Sequence, residues 1–207
     1  MIYVIVFLGG AMVMSFEILG SRILAPNFGS SVFVWGSLIS VFLAGLSAGY
    51  YWGGRFADIR PSLRKLALII IIPGFFFITF PLYSTRISDW VFTLDLGIRM
   101  GPLLVSMFLF FIPSVFLGAV SPYTAKLMII SLHTSGSTIG TLYALSTFGS
   151  IIGTLLTSFY LITIAGVKSI IMVEGIILII ISLPLFYLKL QPFSEDTGRL
   201  ESGTVSL

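Results

Sequence analysis

The chain is built from six stretches of about twenty mostly apolar residues, separated by short polar segments, and this arrangement restricts it to very few folds. A helix rises about 1.5 Å per residue, so a run of about twenty crosses roughly 30 Å of hydrocarbon. In that medium every backbone N–H and C=O must be satisfied within the protein, which leaves helices or a closed barrel, and the runs are too long and too evenly apolar for barrel strands. The sequence therefore predicts an all-α polytopic membrane protein of about six transmembrane helices. They are expected at Ile2 to Leu24, Val32 to Gly54, Leu66 to Tyr83, Gly101 to Val120, Thr138 to Thr163 and Ser169 to Lys189. Residues 1–190 form this transmembrane domain, and 191–207 read as a polar cytoplasmic tail without fixed structure.

Charged residues make up only 9% of the 207 residues, against roughly 25% in soluble domains. The net charge of +3 is dispersed and has no aromatic interleaving, so nucleic acid is excluded as a partner and the lipid bilayer takes its place. There is no cysteine, which removes disulfides, thiolate metal sites and cysteine nucleophiles. His133 is the one histidine and has no metal-ligating company. No nucleophile elbow and no glycine-rich cofactor fingerprint occurs, so neither a catalytic residue nor a cofactor is expected. The first apolar run lacks a basic leader and is longer than a signal-peptide core, so it reads as a helix. Basic residues favour the cytoplasmic side. With both termini inside, Arg55, Arg60, Arg64, Lys65, Lys126, Lys189 and Arg199 fall there, against Arg22, Arg86, Arg99 and Lys168 outside. The expected location is the plasma membrane with cytoplasmic termini.

Shifting the second half by 104 residues brings Gly36, Leu38, Gly45 and Gly49 onto Gly140, Leu142, Gly149 and Gly153, and Arg22 and Arg64 onto Lys126 and Lys168. Three helices per copy makes the second copy inverted, an arrangement that many secondary transporters use to build a substrate site at the repeat interface. The glycines Gly45, Gly49, Gly149 and Gly153 keep the four-residue spacing that lets helices approach closely.

Ionisable residues within apolar runs are few. Glu17 lies between Phe16 and Ile18, and Glu174 lies six residues after Lys168. A charge at a helix centre costs roughly 2.5–3.5 kcal/mol or more, so both acids should face protein or water. Facing one cavity, they would suit a small cation or a proton relay; paired separately, Glu17 would meet Arg22 and Glu174 a neighbouring hydroxyl. Glu17, Glu174, Arg22 and Tyr123 form the candidate substrate-binding set. Arg55, Asp58, Arg60 and Lys126 form a candidate cytoplasmic charge cluster, although Lys126 is better suited to snorkel to lipid headgroups than to meet a phosphate or carboxylate at the inner surface. Pro122 is expected to interrupt or kink the fourth helix.

The segment GGRFADIRPSLRK resembles the loop signature between the second and third helices of the major facilitator (MFS) superfamily. Gly54 and Asp58 match it, whereas Ile59 and Pro61 stand where a basic residue and a glycine are expected. From Phe16 to Asp58, and again through FLGAVSPYTAKL and GSTIGTLYALSTFGSIIGT, the chain resembles the membrane part of the fused MFS/spermidine-synthase-like family. That resemblance implies a half-MFS-like bundle. It also implies an aminopropyltransferase domain that has no counterpart here, so such chemistry would need a separate spermidine-synthase-like subunit. The expected function is transport or channeling of a polyamine or related small cation, with a homodimer completing the path. The alternatives are a non-transporting membrane anchor and a subunit that holds a lipid-like substrate for a partner enzyme.

Overall fold

A computed structural model describes residues 1–59, 61–129 and 135–187; Arg60, His133 and the tail from Gln191 to Leu207 lie outside the described residues. Those described form helices and no strand: α1 Ile2–Phe28, α2 Val32–Asp58, α3 Leu63–Thr93, α4 Gly97–Met128 and α5 Ser135–Leu156. α5 runs on through a π-helical turn, Thr157–Leu161, into the short α6 Ile162–Ile164, followed by α7 Val167–Ser182 and α8 Pro184–Tyr187. Six of the resulting rods are long and apolar enough to cross a membrane. By length and composition the chain is an integral membrane protein.

The helices overrun their apolar cores, because nothing stops them at the hydrocarbon edge. α3 continues past Tyr83 to Thr93 and ends only where Asp95 (φ 47°) and Gly97 (φ 72°) take left-handed backbone and reverse the chain. Ser31 and Ser62 start α2 and α3 as N-caps, accepting the N–H groups of Val34 and Lys65 at 3.4 and 3.3 Å. The expected interruption at Pro122 does not occur: α4 carries Pro102, Pro113 and Pro122 and still reaches Met128. Neighbouring helices in a bundle supply what each proline removes from the ladder, so the helix is held by its packing.

Around the bundle, α1 packs on α5, α2 on α4, and α3 on both α7 and α4. Phe16 of α1 is fully buried at the centre, with the rings of Phe42, Phe77, Phe80 and Phe110 at 4.2–5.6 Å between centroids. One aromatic side chain thus locks α1 to α2, α3 and α4. The tightest seams are glycine-lined. A methyl group at Gly45 or Gly49 would strike the α4 backbone at Phe111 and Val115, and one at Gly149 or Gly153 would strike the α1 backbone at Phe7 and Ala11. In lipid, where apolar burial gives little drive, such close backbone approach is what holds helices together.

The C-terminal end of α1 meets the end of α3 and the start of α7; this is the Arg22 end. The Asp58 end is opposite, where α2 and α4 finish. Exposed Trp35 and Trp90 lie toward the Arg22 end, and exposed Tyr51 and Trp52 toward the other. Along α2, the 17 residues between Trp35 and Trp52 span about 26 Å, close to the hydrocarbon thickness between two interfacial aromatic belts.

Candidate functional site

Glu174 comes from the middle of α7 and is 7% exposed. Its partner is Ser15 on α1, whose hydroxyl donates to Glu174 Oε1. A serine has one proton to give, so in the 2.6 Å contact between Ser15 and Thr157 the threonine hydroxyl donates and Ser15 Oγ accepts. The result is a directed chain, Thr157 to Ser15 to Glu174, joining three separate spans. Glu174 Oε2 is buried and has no hydrogen-bond partner among the described residues.

The π-helical turn lies at this point. The Ile162 N–H reaches back five residues to the Thr157 carbonyl, so Thr157–Leu161 is wider than the α-helix before it. π turns are rare and concentrate at functional sites. Here the turn starts on the residue that closes the hydroxyl chain, one helical turn beyond Gly153, which seats α5 against Ala11.

The other acid does not join this group. Ser15 and Glu17 are two residues apart and project about 200° from each other around α1, so a helix that turns Ser15 to α5 and α7 must turn Glu17 away. Glu17 is half-buried and has no hydrogen bond or ion pair among the described residues. Neither acid lines the cavity of about 390 Å³ at the Arg22 end or the one of about 190 Å³ bounded by Met14, Tyr50 and Ser150. Of the two separate pairings open to them, the neighbouring-hydroxyl one is formed at Glu174, and the Glu17–Arg22 pair is not made. Arg22 instead lines a cavity at its own end.

Tyr123 is far from the acids. It is fully buried near the Asp58 end, where its hydroxyl accepts the Ser62 N–H at 3.1 Å and donates to the Ser62 carbonyl at 3.3 Å, bracing the start of α3. Among the described residues the charge cluster shows one ion pair, Lys126 Nζ to Asp58 Oδ1 at 2.8 Å, tying the ends of α4 and α2. Arg55 stacks on the Tyr51 ring at 4.4 Å instead, and Arg60 lies outside the described residues. Among the described residues no group of three or more His, Cys, Asp or Glu could hold a metal ion. Sequence reasoning missed Ser15 and Thr157, since a lone hydroxyl in an apolar helix carries no pattern of its own.

Comparison with protein-family models, with curated proteins and with solved structures gives no match to this chain.

Proposed function

We propose that the chain is one half of a membrane transport module for a proton or small cation, polyamines included, with Glu174 as its ion-carrying acid. The observation that carries this reading is the bare Oε2 of Glu174, held in the membrane-spanning region by a hydroxyl chain from two other helices. A group placed there for packing alone would be better replaced by leucine, because an intramembrane acid is costly wherever it is not used. An acid with one oxygen anchored and one open takes up and releases a proton or cation while its position stays fixed.

Paired glycine contacts support the reading of the two halves as an inverted repeat. Gly45 meets Phe111 and Gly49 meets Val115; adding 104 to the first partner and subtracting it from the second gives Gly149 with Phe7 and Gly153 with Ala11, and these are the contacts that occur. Gly74 touches Leu178, a pair that the same operation maps onto itself, as at a pseudo-twofold axis. Three helices against three is half of an alternating-access transporter, so a second copy would complete the path. The Asp58 end is the cytoplasmic one in this reading, and a separate spermidine-synthase-like subunit would dock there.

Uptake of labelled spermidine and of protons by vesicles containing the purified chain tests the proposal. Flux that Glu174→Gln abolishes, with the variant still folded, is the expected result. No flux of either, or a Glu174→Gln variant equal to wild type, would overturn it, and co-purification of a soluble synthase-like protein with an inactive chain would favour the anchor.

A further inference from the structure

At the Arg22 end, the last turns of α1 and α3 and the first turn of α7 enclose a cavity of about 390 Å³. Two serines one helical turn apart on α3, Ser84 and Ser88, line it; they are 0% and 4% exposed, and neither hydroxyl has a hydrogen-bond partner among the described residues. A serine within a helix ordinarily bonds the carbonyl four residues back, as Ser37 does with Phe33 at 2.7 Å, so two unpartnered hydroxyls in succession on one wall need another acceptor. Ser106 and Ser114 are also unpartnered among the described residues, but neither lines this cavity.

The remaining walls supply positive charge and more donors. Arg22 lines the cavity and makes no ion pair among the described residues, and Lys168 stands across from it with its ammonium on Thr85 Oγ1. The first turn of α7, from Gly166 to Ser169, also faces the cavity and has no side-chain cap, which leaves its N–H groups and the positive end of the helix dipole directed at the ligand space. One carboxylate opposes them: Asp89, whose Oδ1 accepts the Asn27 amide at 2.9 Å. Two cations against one anion leave a single positive charge, and the donors are more numerous than one carboxylate ligand could satisfy.

We propose that this cavity binds a singly charged phosphate-type oxyanion, one oxygen taken by Arg22 and Lys168 and others by Ser84, Ser88 and the start of α7. Its level, beside exposed Trp90, is that of lipid headgroups, so the group is either the phosphodiester of an anionic lipid or a free phosphate. The proposal does not depend on the transport reading.

The test uses the full chain in detergent, with thermal unfolding followed against inorganic phosphate at constant ionic strength, and native mass spectrometry with phosphatidylglycerol. A saturable rise in melting temperature with phosphate identifies a soluble ligand, and retained phosphatidylglycerol identifies a lipid. In either case binding should weaken about tenfold in Arg22→Gln and in Ser84→Ala, the loss expected for a charge-assisted hydrogen bond. Ser84→Ala removes a hydroxyl that is unpartnered without ligand, so the empty protein should melt no lower than wild type; this variant decides the matter if Arg22→Gln does not fold. No saturable effect of either probe, or effects that both variants leave unchanged, would overturn the proposal.

Discussion

Ser15 is the residue on which the buried acid depends. It gives its proton to Glu174 and receives one from Thr157, so Ser15→Ala leaves a carboxyl group with neither oxygen bonded. Interhelical hydrogen bonds in membranes average about 0.6 kcal/mol, but stranding a buried polar group adds to that, and the expected loss is about 1–2 kcal/mol. Glu174→Leu should do the reverse, raising stability in detergent while abolishing any proton or cation flux. Chemical denaturation of the two variants beside wild type checks both signs; a Glu174→Leu variant less stable than Ser15→Ala would mean that the acid serves packing. Glu174 could be read in the sequence because a single acid in an unbroken apolar run is conspicuous. Its partners could not, since Ser15 and Thr157 are 142 positions apart and only the pairing of α1 with α5 brings them together. Glu17 was equally conspicuous and proved to stand apart, because helical phase separates it from Ser15.

Among the elements, the six spans were legible as runs of about twenty apolar residues, while their ends were not. Ser84 to Thr93 is polar enough to read as loop, yet it holds no glycine or proline to end α3, and interfacial water does not unwind a helix that packs on α7. The π turn is likewise invisible in TSFYL, which has no composition that distinguishes it from α-helix. The glycine seams were legible from spacing, although which helix each faced was not. They make a sharp prediction: Gly153→Leu should separate α5 from α1, because the site of the new side chain is already occupied by the Ala11 backbone. α5 has few other contacts, so its loss should show as rapid proteolysis or cross-linking failure between α1 and α5, with the α2–α4 seam intact. Loss of both seams together would show that the bundle unfolds as one unit.

On the scale of the whole molecule, the bundle differs at its two ends. The Asp58 end carries the Lys126–Asp58 ion pair over buried Tyr123 and has a smaller cavity of about 190 Å³ above it, lined by Met14, Tyr50, Ser121 and Ser150, whereas the Arg22 end holds the larger, charged cavity. Glu174 lies about 9 Å deeper than Lys168 along α7, and the cavity of the other half reaches Met14, next to its partner Ser15, so the acid stands between the two cavities. The exposed tryptophans have a further consequence. With Trp35 and Trp52 about 26 Å apart along one helix, two interfacial aromatic anchors would set the hydrocarbon thickness that suits the protein best. A membrane thicker than this span must thin locally or draw the rings out of the headgroup layer, at a cost of fractions of a kcal/mol per Å of mismatch. In phosphatidylcholine vesicles of graded acyl length, thermal stability should therefore peak where the hydrocarbon is slightly thinner than about 30 Å and fall in longer-chain lipid.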